Sequence, residues 1–547
     1  MTVPEFGAKH GSSDSEPIVN EGSASGRTLR GDWGGNLIWA CLFTVLFIPY
    51  CIVLGLPDVG SFHDDGIYLV TSEALANGDG YHLVNLPENP RQTKYPPGLP
   101  LVLALVWAVF PAFPDNLLLL KLVPLGCGIL WMVASFQLLR VLGITKGWAL
   151  GVLALIAASP FTATIATALL SETLFALLAT WSVCVLERCK SENRITVRRV
   201  LFASLLAAAA TLTRTVGVAV ILGGVLWLLS LKRWRIAAVY AAVSGTLIAP
   251  WVWWTLTDSH ESYYSAANYA SWHIFSNHLG LSILQQTTVV GKNLILLLMT
   301  PAISLYPVGS PAAVLALVST VVVLVGIAVV WRRNSPSVWF LAFYCAIVLC
   351  WAWPPTRFTL VVLPWIYWLS ILGLAKLRIR PNLIGSAAIL IALIVPPIWN
   401  GYRQALSRRE SVTASSAITT NGRPSSPRSW PDFLAAASWI RENTSPLTII
   451  IGTLDPILYR LTGRKALRSF EANPYPLFYS SAGTESPIQL LIPPKSLPPD
   501  ANYVVVASPD QSLEGAAALH AEIADLEARG KLKVAFKAGM YRVLLPQ

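Results

Sequence analysis

The stretch that decides the reading is HDDGIYLVTSEALANGDGYHLVNLPENPRQTKYPP, His63 to Pro97, set between long apolar segments. An acid pair, Asp64 and Asp65, stands about ten residues beyond the first apolar run, and a lone cation, Lys94, precedes a Pro-Pro break. Residues 36–400 hold twelve acidic side chains, and six of them (Asp58, Asp64, Asp65, Glu73, Asp79, Glu88) fall within residues 58–88. Charge beside a bilayer is costly and usually functional. The loop is therefore the first place to look for a site.

Working outward, 54% hydrophobic content, 13% charged residues and a mean hydropathy of +0.56 over 547 residues exclude an ordinary soluble protein. Apolar runs suited to crossing a bilayer lie near 36–57, 117–139, 147–160, 172–187, 200–213, 216–231, 236–256, 311–331, 338–353, 357–375 and 383–400. The run 98–113, GLPLVLALVWAVFPAF, is short and bracketed by prolines. If it stays outside, the basic clusters Arg140/Lys146, Arg188–Arg199, Lys232/Arg233/Arg235, Arg332/Arg333 and Lys376/Arg378/Arg380 share one face with Arg27 and Arg30. That is the bias expected of the cytoplasmic side. We read 98–113 as an interfacial or re-entrant helix, giving about eleven spans with the N-terminus inside and the C-terminus outside. The net charge of +11 is then a membrane-face property, with no nucleic-acid partner implied.

The organisation follows. Residues 1–34, rich in Gly, Ser and charge, read as a disordered cytoplasmic tail. Residues 35–400 form the transmembrane part, with 58–116 as its first external loop; 401–430 read as a Pro/Ser linker. Residues 431–547 alternate helix and strand: a helix at 432–443, the run LTIIIG, a helical piece at 455–462, NYVVVAS, a helix at 511–529, and strands in KVAFKAGMYRVLLP. This pattern predicts a small extracytoplasmic α/β domain. The segment 281–308 is moderately apolar and reads as a further interfacial helix. All seven cysteines lie in or beside apolar spans, and their spacing suggests neither a disulfide framework nor a zinc site.

The motifs HDDGIY…KYPPGLPLVLAL, SPFTATIATALLSETLFALLA, TRTVG and TRFTLVVLPW together resemble the glycosyltransferase C superfamily. More narrowly, they resemble the bacterial relatives of protein O-mannosyltransferases and lipid A aminoarabinose transferases, of the family 39 type. The later run WIRENTSPLTIIIGTLDPILYRLTGRKA resembles the extracytoplasmic domain many such proteins carry. The resemblance implies a multi-pass bacterial inner-membrane enzyme. It would take a polyprenyl-phosphate sugar as donor and a protein hydroxyl, glycolipid or envelope glycan as acceptor. It implies Asp64 as catalytic base and Asp65 as a residue orienting the base or the acceptor. Glu172 would be a second external acid, and Lys94 with Tyr95 and Arg357 the contacts to lipid phosphate.

The chemistry agrees independently. Glycosyl transfer from a lipid phosphate needs a base for the acceptor and positive charge for the departing phosphate. No cofactor is expected. Relatives that bind a divalent metal often carry an acid just before the loop lysine, where Thr93 stands here. His260, His273 and His278 have spacings that define no shared metal face.

The same residues have plainer readings. The acid pair can cap a helix, Lys94 can snorkel and Glu172 can complement a helix dipole. Arg357 and Arg214 stand at span ends, and Arg214 is read as structural. A transporter or flippase of a lipid-linked or small-molecule substrate remains the alternative class.

Overall fold

The computed structural model describes residues 32–60, 62–257, 280–306, 310–378, 383–413, 429–468, 470–480, 488–490, 501–507 and 516–547. The expected histidines 260, 273 and 278 lie outside these. Two compact units divide the chain, residues 1–45 and 46–547. The described part of the first is the opening of helix α1 (Asp32–Leu54), where Trp39 and Phe43 pair with ring centroids 6.3 Å apart.

The chain is a polytopic helical membrane protein. Every one of the eleven predicted apolar runs is helical among the described residues. Among the described residues, five helices combine the length and apolar composition to cross a bilayer: Asn36–Leu54, Leu117–Val141, Trp234–Leu256, Ala313–Val330 and Thr359–Lys376. A sixth crossing results if the bent pair Lys146–Ala158 and Pro160–Ala166 counts as one span. Here the structure corrects the continuous span expected at 147–160. The first helix stops at Ser159, Pro160 occupies the first turn of the next, and the two axes differ by 70°. Proline suits a first turn but cannot continue a helix. Ser159 Oγ caps the second helix by accepting from the Thr162 N–H at 3.3 Å.

Helix α2 (Asp64–Asn77) and helix α3 (Gly98–Val109) form the first loop. Two acids in its opening turn favour α2 electrostatically. It ends at Gly78, whose φ of 83° closes the last turn onto the Ala74 and Leu75 carbonyls. At twelve residues, α3 is about 18 Å long, too short for a hydrocarbon core of about 30 Å. Its first residue abuts the end of helix Val197–Thr213: a Cβ on Gly98 would lie 2.7 Å from the Leu212 carbonyl oxygen.

Two further helices fix the late part of the bundle, Ser310–Val330 and Thr359–Lys376. They cross at Gly326 and Gly373, where added Cβ atoms would meet the Leu369 and Val322 carbonyl oxygens at 2.1 Å. Small residues at a crossing let membrane helices approach closely. The run near 281–308 is a helix, Ile283–Ile303, opened by a capping box between Ser282 and Gln285.

The predicted linker at 401–430 starts late. Helix Leu383–Thr413 runs straight through Asn400. Its polar half GYRQALSRRESVT keeps a buried stripe at Gly401, Ala405 and Val412, with Arg408 on the same face. That helical spacing was hidden by the charge around it.

The C-terminal part opens with helix Trp430–Asn443 and builds a five-stranded sheet in the order Ala466–Arg468, Ile449–Gly452, Tyr503–Ala507, Tyr541–Pro546, Leu532–Ala538. The strands are β1 (Ile449–Gly452), β2 (Ala466–Arg468), β5 (Tyr503–Ala507), β6 (Leu532–Ala538) and β7 (Tyr541–Pro546). β1 pairs in parallel with β2 and β5, while β7 is antiparallel to both β5 and β6. The short strands β3 (Phe470–Ala472) and β4 (Ile488–Leu490) pair separately. The helix expected at 511–529 is described from Ala516 to Ala528.

This sheet does not stand apart from the helical part. Ile450, Ile457, Leu458, Val504 and Val543 share one hydrophobic core with Tyr68, Leu99, Leu103, Trp107 and Leu117 of the first loop and the helix after it. Burial of that shared surface joins the two.

Candidate active site

Asp64 is the first residue of α2, and its carboxylate is bound on both sides. Arg357 Nη2 pairs with Oδ2, while the Tyr95 hydroxyl donates to Oδ1. Arg357 also reaches Glu172, its Nε lying 3.0 Å from Oε1. Arg214 Nη1 meets the same oxygen at 2.9 Å and donates to Ser171 Oγ at 3.0 Å. Ser171 shares a hydrogen bond of 2.9 Å with the Tyr68 hydroxyl. Glu172 is fully buried, so two guanidinium groups compensate a carboxylate that could not stand there alone.

The lysine arm is held by its backbone. Gln92, fully buried, accepts from the Lys94 N–H at 2.7 Å and the Tyr95 N–H at 3.3 Å. Tyr81 donates to the Tyr95 carbonyl at 2.8 Å. Lys94 Nζ lies 4.9 Å from the centre of the Tyr95 ring, which meets the Tyr68 ring edge-on at 5.3 Å. Aromatic rings also face the arginines: Phe358 under Arg214 at 4.7 Å, and Phe62 under Arg357 at 5.6 Å.

Electrostatics separates the two adjacent acids. Burial alone would raise the Asp64 pKa, but the positive charges of Arg357 and Lys94 outweigh it and hold the group well below the ordinary carboxylate range. Asp65 is pushed up to about 6 by burial, against the hydrogen bonds it accepts from three amides of its own loop. Those donors are the N–H groups of Gly60 (2.8 Å), Phe62 (3.1 Å) and Gly66 (3.1 Å). Asp65 thus holds the loop that carries Asp64. Lys94 is lowered to about 8 by burial, with Arg468 and Arg357 acting in the same direction and Asp64 opposing them.

The structure therefore brings Asp64, Glu172, Tyr95, Lys94 and Arg357 into one site, with Asp65 beneath it. Arg214, read from sequence as structural, belongs to it as well. Sequence reasoning passed over Tyr68 and Ser171. Tyr68 follows Asp64 by four positions, one helical turn, and Ser171 directly precedes Glu172. Both signals were available. Among the described residues, no three His, Cys, Asp or Glu side chains group closely enough to share a metal ion.

No family model matches the sequence, and no curated protein matches it. Solved structures of two proteins are similar to this chain at low identity. ArnT from Cupriavidus metallidurans bound to undecaprenyl phosphate is 12% identical, with 93% of this chain and 98% of that one covered and a TM-score of 0.45. The archaeal oligosaccharyltransferase AglB from Archaeoglobus fulgidus, in complex with an inhibitory peptide and a dolichol-phosphate, is 15% identical at a TM-score of 0.46. That match covers 79% of this chain and 64% of AglB, so this chain spans just under two thirds of it. The Archaeoglobus enzyme with Zn and sulfate is 15% identical at a TM-score of 0.49, with 79% and 61% covered.

Proposed function

We propose that this chain is a membrane glycosyltransferase that moves a sugar from a polyprenyl-phosphate donor to an acceptor at the outer face of the bilayer. The observation that carries the reading is Arg357 held between Asp64 and Glu172, with Lys94 over the adjoining Tyr95 ring. A base and a pair of cations within one buried site are the parts that the reaction needs.

The acceptor hydroxyl attacks the anomeric carbon, and its proton passes to an Asp64 oxygen. The bond from that carbon to the phosphate oxygen breaks, and the electron pair leaves on the polyprenyl phosphate. The phosphate gains one negative charge in this step, opposite Lys94 and Arg357. Tyr95 donates to one Asp64 oxygen, while the other is the one that Arg357 holds.

The resting pair has a consequence for order. Asp64 bonded to Arg357 is ionised but a weak base, because the guanidinium stabilises its charge. A donor phosphate competes for the same guanidinium. Its arrival relaxes the hold on Asp64 and raises its basicity when an acceptor proton is to be taken. Donor binding therefore comes before acceptor activation.

On this reading the acceptor is a protein hydroxyl, a glycolipid or an envelope glycan, and the protein sits in a bacterial inner membrane with loop 58–116 and the C-terminal part outside. The test is incubation of the purified full chain with radiolabelled polyprenyl-phosphate sugars and membrane extract, reading both labelled product and released polyprenyl phosphate. Movement of intact donor across vesicles without cleavage would replace this reading with a flippase.

A further inference from the structure

His63, the residue immediately before the proposed base, has a strained backbone. Its φ is 60° and its ψ −47°, and the Asp64 N–H donates to the Phe62 carbonyl at 2.6 Å. Together these form a γ-turn of the positive-φ kind, the rare form that side chains resist. Such a conformation persists only where its surroundings over-determine it.

The surroundings here come from the far end of the chain. His63 Nε2 lies 3.3 Å from Asp455 Oδ1, and Asp455 is fully buried. The other Asp455 oxygen accepts from Asn85 Nδ2 at 2.9 Å. One carboxylate thus ties the segment before helix Asp64–Asn77 to the segment after it. Burial and the charge of Arg468 disfavour a proton on His63, against the pull of Asp455. A neutral ring can still donate from Nε2.

Neighbouring residues grip the same loop. Asp455 opens helix Asp455–Thr462, and its next two residues press on the turn. A Cβ on Gly66 would lie 3.2 Å from Pro456, and one on Gly60 would lie 2.8 Å from Ile457. Lys465 Nζ donates to the Val84 carbonyl and to Asn89 Oδ1, both at 2.6 Å. The Ala466 N–H donates to the Asn85 carbonyl at 2.7 Å.

We infer that Asp455 is a positioning residue for the proposed base: through His63 it holds the γ-turn from which Asp64 is presented to Arg357 and Tyr95. The C-terminal α/β part is then a working component of the active site. This rests on Asp64 being the acting carboxylate, so Asp64→Asn is the reference in the test.

The measurement is steady-state transfer by the full-length protein with a polyprenyl-phosphate sugar that supports turnover. Asp455→Ala and His63→Ala should each lower kcat by roughly 10²-fold, the scale of a displaced reacting group, with the donor KM nearly unchanged. His63→Gly should keep most of its turnover, because glycine adopts positive φ without a Cβ penalty. The double variant His63→Gly/Asp455→Ala should recover much of what Asp455→Ala loses. Loss of fold would not be repaired by deleting a second side chain. Wild-type kcat in Asp455→Ala beside an inactive Asp64→Asn overturns the inference, as does His63→Gly falling as far as His63→Ala. If Asp455→Ala is not recovered as a monodisperse protein, the two His63 variants decide alone. Unimpaired Asp64→Asn overturns the base assignment instead.

Discussion

Asp64 and Arg357, 293 residues apart in the chain, form an ion pair, and the same guanidinium continues to Glu172. A cation shared between a candidate base and a buried acid can exchange one of them for a phosphate without leaving either site wholly uncompensated. Catalytic activation by the donor then needs no large movement of the backbone.

Asp64→Asn tests this relationship. The amide keeps size and hydrogen bonding but removes basicity, so turnover should fall by roughly two to four orders of magnitude. Donor affinity should hold or rise, because Arg357 loses one of its two carboxylate partners. Single-turnover transfer, together with binding of polyprenyl phosphate alone, separates the two effects. Weaker phosphate binding in this variant would contradict the exchange.

Lys94 predicts an alkaline limit. Burial lowers its pKa to about 8, below the usual lysine value. A group depressed in this way carries its charge below that pH and loses it as pH rises through it. Donor capture, read as kcat/KM, should therefore decline above about pH 8. Lys94→Arg should move the limit upward, since guanidinium stays charged, and Lys94→Gln should abolish it at a lower plateau. An unchanged alkaline limb in Lys94→Arg would assign the titration to another group.

Most of the helical architecture was legible from the chain because apolar runs report burial in lipid directly. The first loop was legible because its acids are so sparse elsewhere. Arg214 and Asp455 were harder. A cation at a span end looks the same whether it meets lipid headgroups or a buried Glu172. Asp455 lies hundreds of positions from His63, in a segment whose strand and helix pattern carries no sign of what it packs against. The break at Ser159 was marked by Pro160, and the continuation of helix Leu383–Thr413 by the stripe Gly401, Ala405, Val412. In both cases an apolar count outweighed a local signal.

Asp58 predicts a stability effect without a catalytic one. It is buried, bonded by Arg408 at 2.9 and 3.2 Å, with Lys121 Nζ at 3.7 Å from its other oxygen. Lys121 also donates to the Leu56 and Asp58 carbonyls at 2.6 and 2.8 Å. Asp58→Asn leaves two cations facing a neutral amide, a change expected to cost about 3 kcal/mol. The melting temperature should drop, while donor affinity measured well below it stays near that of the native protein. Intact stability would show that Lys121 and Arg408 are compensated elsewhere.

Topology is the last prediction, and two lines of argument meet on it. Basic clusters fall on one face only if residues 98–113 stay outside. The helix found there, Gly98–Val109, is too short to cross, and its start meets Leu212 and Thr213 at the end of a helix whose next residue is Arg214. The Asp455–His63 and Lys465–Val84 contacts put the C-terminal part on the same side as the first loop. Reporter fusions after residues 145, 193, 234, 334 and 379 should therefore read cytoplasmic, and fusions within 58–116 or after residue 547 should read external. External signals at all five of the first set would mean that 98–113 crosses. Asp64 would then face the opposite compartment from Glu172, which their shared arginine forbids, so that result would reject the site together with the topology.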